Sequence, residues 1–473
     1  MRKGKVNIIF PVIIVLLSLA PLFFNYPLNV ALIFAIPICL IVFLKPYIGV
    51  IWLVLLVSFS FNSETVSYIE LLFAFIFLLT LAGSIVKLFL KKTKLYTSPL
   101  FLPLLLTEFS CLISFFPAVS NSVVPSFWLR RIFPFLLFLV AIPIFVELES
   151  SGKRFINFFL FLLLAISLYN IAGIAFHWYM SANLLETIEN PQVLREAGNG
   201  IYFIYLIVIL VYLLMVAKNK LYQVLLHGLL LFSITMVLLS FTRSYWVGIF
   251  LALVYLLLML KKGDRREFIS ILLTQVFFGA ILSGIVYAIN PYLQIKIGTW
   301  LKQTSFSIFS FKQNFSAMNR VEELKALIPL ILRKPLLGYG LGATYVMYWV
   351  FPAEGYVSLF YSHNFYAYHA YATGLIGLIS FLFLIWRSFI ISIRSYFAYQ
   401  TSNGKLVIFL SALIFGLLFT SLTSPQFVDK ASDLYVGIIL GIIAYVYSKS
   451  ISSKVLIGNA ELDYTSTKEE EMN

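Results

Sequence analysis

A chain of 473 residues with 61% hydrophobic and only 11% charged residues has more apolar side chain than a soluble domain can bury. Backbone groups inside a bilayer must be satisfied within the spanning element, and apolar runs of roughly 20 residues mean helices rather than barrel strands. The class is therefore an all-α polytopic membrane protein, and the formal charge of +14 fits anchoring to anionic membrane lipids, not nucleic-acid binding. Cys39 and Cys111 both lie in apolar runs and read as packing residues, with no disulfide framework.

In chain order, the span-length criterion predicts about fourteen transmembrane helices (roughly 12–14). They cover 7–24, 28–44, 47–62, 69–90, 99–116, 131–147, 154–177, 200–217, 221–241, 244–260, 268–289, 365–386, 405–424 and 432–448. The basic start Met1-Arg2-Lys3-Gly4-Lys5 resembles a signal peptide. The first run ends in Leu19-Ala20-Pro21 rather than a small-x-small cleavage site, so an uncleaved first span is expected. Lys and Arg concentrate in alternate short loops, among them Lys91-Lys92, Lys218 to Lys220 and Lys261 to Arg266. The positive-inside rule then puts both termini in the cytoplasm and the long polar loop outside.

Four segments follow: 1–289 with about eleven spans, an extracytoplasmic loop 290–364 carrying a surface helix, 365–448 with about three spans, and a tail 449–473. The tail ends in Glu469-Glu470-Glu471 and reads as disordered and cytoplasmic. No inner loop is long enough for a soluble nucleotide-binding domain, and no internal repeat marks a transporter of the inverted-repeat kind.

The residues with chemical potential gather in or beside the long loop. Glu108 is the exception, a carboxylate in mid-span, which reads either as a proton relay or arginine partner or as a group hydrogen-bonded within the bundle. Arg243, in Ser240-Phe241-Thr242-Arg243-Ser244-Tyr245-Trp246, is either one jaw of a diphosphate clamp or a snorkelling interfacial arginine. Met318 to Leu332 places Val321, Leu324, Leu327, Ile328 and Ile331 at helical spacing, with Arg320, Glu323 and Lys325 largely off that face. This helix either lies on the membrane surface and roofs a cavity, or merely covers the protein. Arg320 is a second clamp residue or part of a solvated face.

Pro335-Leu336-Leu337-Gly338-Tyr339-Gly340-Leu341-Gly342 is a tight turn whose N–H groups suit an anion, although it follows no predicted strand. His363, in Ser362-His363-Asn364, is suited to take a proton from a hydroxyl, or is a structural interfacial residue. His369 lies about 240° further round a helix, which argues against a two-histidine metal site. Asp429 and Asp433 occupy the last outer loop, near the same cavity or as helix caps.

Taken in order, Ser-x-Thr-Arg-Ser, the loop-helix Arg320, Pro-Leu-Leu-Gly-Tyr-Gly, His363-Asn364 and Gly374-Leu375-Ile376-Gly377-Leu378 resemble the O-antigen ligase and polymerase superfamily over about 241–378. That resemblance implies a bacterial inner-membrane glycosyltransferase of the GT-C type, inverting and metal-independent with no cofactor. Its donor would be a glycan on undecaprenyl diphosphate. The resemblance also implies roles: His363 catalytic, Arg243 and Arg320 on the donor diphosphate, and Gly338 and Gly340 as loop glycines. Asn364, Glu108 and Asp433 are possible supporting residues.

Nucleotide sugars are cytoplasmic, so a glycosyl donor used by outward-facing groups must arrive on lipid. The expected activity is ligation of a lipid-linked glycan to lipid A-core or another envelope acceptor. A polymerase using a second lipid-linked repeat as acceptor is the close alternative. A flippase or transporter, and a peptidoglycan glycosyltransferase of the shape, elongation, division and sporulation family, are the others.

Overall fold

The computed structural model describes residues 38–57, 68–91, 98–180, 200–240, 242–289, 298, 315–350, 355–398 and 402–470. In chain order the helices are α1 (Ile38–Leu44), α2 (Pro46–Leu56), α3 (Tyr68–Lys91), α4 (Phe101–Ile113), α5 (Phe115–Ser120), α6 (Pro125–Leu136), α7 (Ala141–Ser151) and α8 (Lys153–Met180). There follow α9 (Gly200–Val216), α10 (Lys220–Leu239), α11 (Arg243–Met259), α12 (Lys262–Ile289) and α13 (Phe315–Arg333). A hairpin of β1 (Tyr345–Trp349) and β2 (Gly355–Leu359) precedes α14 (Phe365–Ala398), α15 (Ser402–Thr420) and α16 (Lys430–Glu470).

Among the described residues nine helices are long and apolar enough to cross a membrane, or ten if α1 and α2 form one bent crossing. The polytopic helical class holds, and the described residues show fewer crossings than the fourteen expected, for identifiable reasons. The expected spans 28–44 and 47–62 meet at Lys45, where α1 and α2 bend by 116°. Pro46 fits the first turn of α2 but disfavours helical geometry at the residue before it, and Lys45 sits at φ −130°, ψ 76°. The helices found for 200–217 and 244–260 have 17 residues each, about 25 Å of rise against a hydrocarbon core of about 30 Å. The expected first span, 7–24, lies outside the described residues. At the other end, α16 runs on to Glu470 through the segment expected to be irregular.

The chain forms two compact units. One comprises Met1–Phe101, Leu136–Ile166 and Asp433–Asn473. In it, Gly437 and Gly441 of α16 lie against the backbone of Leu137 and Ala141, a close approach that small residues permit. Ion pairs of Lys87 with Glu147 (3.1 Å) and of Lys449 with Glu149 (2.8 Å) join α3 and α16 to α7.

The second unit comprises Leu102–Phe135 and Ser167–Ser432 and holds nearly all the candidate residues. Its helical core is α9, α11 and α15. Gly248 of α11 and Gly416 of α15 face each other so closely that a Cβ on either would meet the other's carbonyl oxygen at 2.7–2.9 Å. Packing of backbones rather than long side chains fixes this crossing.

The long loop is not wholly helical and irregular. It contains the antiparallel hairpin, in register Tyr345↔Leu359 to Trp349↔Gly355. Tyr345 and Met347 point inward and Val346 and Tyr348 outward, the period-two alternation of a half-buried strand. With Leu327 of α13, Ala343 and Tyr371, the inward residues form a small core beneath the loop. The surface helix also differs from expectation. Its buried line is Asn319, Glu323 and Leu327, while Ile328 is 51% and Leu332 73% exposed. The spacing i, i+4, i+8 is helical as expected, but two of its three members are polar. The segments flanking the hairpin supply their partners: the Val350 N–H donates to Asn319 Oδ1 at 2.8 Å, and Ser362 and His363 meet Glu323.

Candidate functional site

Met318 to Leu327 is rich in strong helix formers, and α13 carries Glu323 into a fully buried position facing the segment just before α14. A carboxylate there needs donors, and three arrive from two consecutive residues. The Ser362 hydroxyl donates to Oε2 at 2.8 Å, and the His363 backbone N–H donates to the same oxygen at 2.9 Å. The His363 ring places Nδ1 2.6 Å from Oε1. An ionised carboxylate only accepts, so Nδ1 carries the proton and the lone pair of a neutral ring resides on Nε2. The histidine side chain is 30% exposed while the Glu323 side chain is fully buried. The arrangement is an imidazole held on one side by a buried carboxylate, with about a third of its side chain still exposed.

Asn364 fixes where the next helix starts. Its Oδ1 accepts the Ala367 N–H at 2.9 Å, the geometry of an N-cap, and its amide donates to the Leu422 carbonyl at 3.2 Å. The tripeptide thus divides its work: Ser362 and His363 satisfy Glu323, and Asn364 caps α14. Tyr361 meets the His363 ring edge-on at 5.7 Å between centroids. Tyr345, buried beneath it, donates its hydroxyl to the Tyr361 carbonyl at 2.9 Å. Burial first, and the Glu323 charge second, hold the phenols of Tyr345 and Tyr361 above their ordinary value, so both stay neutral donors.

The glycine turn braces a broken helix. Helix α14 is broken at Gly374, at φ 71° and ψ −177°. The break costs the Tyr371 and Ala372 carbonyls their helical partners, and the turn replaces them. The Tyr339 N–H donates to the Tyr371 carbonyl at 2.8 Å, and the Gly340 N–H to that of Ala372 at 2.9 Å. In return the Leu375 N–H donates to the Pro335 carbonyl at 2.7 Å. The Gly338 N–H donates to the Lys334 carbonyl, so the N–H groups of Gly338, Tyr339 and Gly340 are all committed to protein carbonyls. Gly340 has φ +94°, and a Cβ there would run into the backbone of Ala118. Non-helical backbone inside an apolar bundle is tolerated only when its polar groups are met in this way.

Arg243 opens α11, following Thr242 in an extended conformation. The neighbouring Ser244 carbonyl accepts the Thr420 hydroxyl at 3.3 Å, and the next carbonyl of that turn, Ser421, accepts the Phe365 N–H at 2.9 Å. The starts of α11 and α14 are therefore tied to one turn at the end of α15. Arg243 and His363 lie at the same end of the unit. Arg320 precedes Glu323 by three residues on α13, about 4.5 Å along the axis and about 60° round it. Arg243 and Arg320 are both half-buried.

The two acidic candidates differ in their surroundings. Glu108 is buried in α4, and among the described residues neither of its oxygens has a hydrogen-bond partner, so the arginine expected as one possibility is not in contact with it. Asp433 falls in the other unit, buried in the first turn of α16. The cap of that helix is Asp429, whose Oδ2 accepts the Ser432 N–H at 3.0 Å. Among the described residues no group of three or more His, Cys, Asp or Glu side chains could hold a metal ion. His369 instead packs its ring on Phe365 (5.2 Å) and Phe135 (5.1 Å).

Glu323 is the residue that sequence reasoning passed over. Its only signal was a carboxylate one helical turn before Leu327, and nothing local couples it to a histidine 40 residues later.

No curated protein matches the chain. Residues 228–382, however, match the family model of the O-antigen ligases, from within α10 to the middle of α14. The matched block contains Arg243, Arg320, Glu323, the glycine turn and His363, so the similarity to the O-antigen ligases spans this whole cluster.

Proposed function

We propose that the protein is a membrane glycosyltransferase of the O-antigen ligase type, moving a glycan from undecaprenyl diphosphate to a hydroxyl of lipid A-core or a similar envelope acceptor. The reaction takes place on the outer face of the bacterial inner membrane, with both termini in the cytoplasm. Loop 290–364 contributes the catalytic face between the two sets of spans. The Glu323–His363 pair is the observation that carries this reading.

Nε2 of His363 takes the acceptor proton as the hydroxyl oxygen attacks the anomeric carbon. The bond from that carbon to the diphosphate oxygen breaks, and the leaving group departs with the electron pair. Attack from the face opposite the leaving group inverts the anomeric centre. Charge grows on the diphosphate as the bond breaks, and Arg243 and Arg320 stabilise it there more than in the ground state. Glu323 stabilises the imidazolium that forms. The scheme uses no metal and no cofactor. Gly338, Gly340 and Asn364 act by shaping the loop and α14, and Glu108 and Asp433 take no step.

The test is transfer in vitro by the purified protein from lipid-linked glycan to candidate acceptors, with analysis of the product linkage. Wild type should form an inverted glycosidic bond and keep doing so in the presence of a chelator, while His363→Ala should form none and remain folded. Full activity in His363→Ala, or loss of activity with chelator, would refute the scheme. The similarity to the O-antigen ligase family equally admits a polymerase. That reading predicts ladders of glycan on the carrier lipid when no core acceptor is present. Movement of labelled lipid without bond formation would replace both readings with a flippase.

A further inference from the structure

Arg131 on α6 stands beside the His363 segment and takes no part in the scheme above. Its guanidinium carbon lies 4.1 Å from the centre of the Phe360 ring and 5.0 Å from that of Phe127. The two rings meet edge to face at 5.4 Å. Phe360 is three residues before His363. One turn further along α6, Phe135 packs against Phe365 at 6.4 Å and His369 at 5.1 Å. Helix α6 therefore runs alongside the whole stretch from Phe360 to His369.

Nε of Arg131 is buried without a hydrogen-bond partner, and among the described residues no carboxylate pairs with this guanidinium. A cation enclosed among rings and lacking a counter-charge is costly, and aromatic faces offset only part of that cost. The same stacking holds the planar group rigid, so its remaining N–H donors are ready for an anion with little entropy to lose.

We propose that Arg131 is a third guanidinium of the donor site and binds phosphate oxygens of the lipid diphosphate. This rests on the glycosyltransferase reading. Its chemistry matches the reaction: breaking the glycosyl bond leaves a diphosphate with one more ionisable oxygen than the donor had, and a rigid cation packed on Phe360, three residues before His363, meets that added charge. The phosphate of a bulk anionic lipid would offer the same chemistry, so the experiment separates the two sources.

The full-length protein in detergent is titrated with geranyl diphosphate, and in parallel with phosphatidylglycerol, following its melting temperature. Geranyl diphosphate should stabilise wild type and His363→Ala alike. Arg131→Met should shift the titration midpoint upward by roughly tenfold or more, the loss expected of one charge-assisted donor group. Arg131→Lys, which keeps the charge but not the fork, should fall between them. It carries the test if the methionine variant does not fold. Phosphatidylglycerol should produce no comparable, Arg131-dependent shift. Binding by Arg131→Lys and Arg131→Met equal to wild type would overturn the proposal while leaving the proposed function intact, as would an Arg131-dependent effect of phosphatidylglycerol alone. Absence of diphosphate binding by wild type would remove both.

Discussion

Oε1 of Glu323 stands 2.6 Å from Nδ1 of His363, joining the middle of α13 to the residue that precedes the cap of α14. Oε2 of the same carboxylate accepts from Ser362 and from the His363 amide, so one side chain sets the position, the tautomer and the charge environment of the imidazole.

Replacing Glu323 tests this directly. Glutamine keeps the shape but turns one acceptor into a donor, which must then face the Ser362 hydroxyl and the His363 N–H or else Nδ1. Glu323→Gln should lower kcat by roughly 10- to 100-fold with the KM for donor little changed, because general-base catalysis and not donor binding is impaired. Glu323→Asp should recover part of the loss. A kcat equal to wild type in the glutamine variant would show that the carboxylate does not govern the base. The comparison is made on protein of verified melting temperature, since unmet buried donors also cost about 1–3 kcal/mol of stability.

Arg243 and Arg320 should give the opposite kinetic pattern if they hold the diphosphate. Alanine at either position should raise the KM for lipid-linked donor and lower kcat/KM by about 10- to 1000-fold, as expected for losing a charged contact to a transferring phosphoryl group. Lysine should rescue poorly, because it lacks the planar fork. Steady-state kinetics with varied donor at saturating acceptor separates the two effects. Lysine variants with wild-type kcat/KM would reduce these residues to plain surface charge.

The parts of this molecule that depend on local chemistry were legible beforehand. Apolar length alone marks most of the spans, and helical spacing marks α13. His363 and Arg320 stood out because charged and titratable groups are scarce in such a chain. What depended on distant partners was hidden. Glu323 looked like a solvated helix residue because its three donors come from Ser362 and His363. The bracing role of the turn was hidden because the acceptors of the Tyr339 and Gly340 N–H groups, the Tyr371 and Ala372 carbonyls, are freed only by the break at Gly374. The hairpin was missed because two five-residue strands in a polar loop have little signal until α13 gives their inward face something to bury against.

The break in α14 yields a stability prediction. At Gly340 the backbone has φ +94°, and an added Cβ would collide with the main chain of Ala118, which cannot swing aside as a side-chain tip would. Gly340→Ala should therefore lose several kcal/mol, on the order of 3 or more, and be recovered folded at greatly reduced yield. Gly279 of α12 faces open space and has ordinary helical geometry, so Gly279→Ala should melt at or slightly above wild type, by up to about 1 kcal/mol. Size-exclusion profiles and melting of the detergent-solubilised variants make the comparison. Equal stability of the two variants would mean that the turn does not clamp the broken helix.

Tyr345 ties the base to alkaline stability. Burial, then the Glu323 charge, raise its folded-state pKa above the ordinary tyrosine value of about 10. An unfolded chain gives up this proton sooner than the folded one, so the stabilisation is fully present below about pH 10 and is lost as pH climbs from there toward the folded pKa. Phenylalanine has no proton to lose. Near pH 7, Tyr345→Phe should be less stable than wild type by about 1 kcal/mol, for the hydrogen bond to the Tyr361 carbonyl. Between pH 9 and 11, roughly the window set by free tyrosine, wild type should lose melting temperature faster than the variant, and the gap should close. The Glu323 charge is part of the cause, so in Glu323→Gln the alkaline loss should begin at the same pH as in wild type but level off at a lower one. Parallel melting curves for wild type and Tyr345→Phe across that window would show that the phenol is not sealed between α13 and the hairpin.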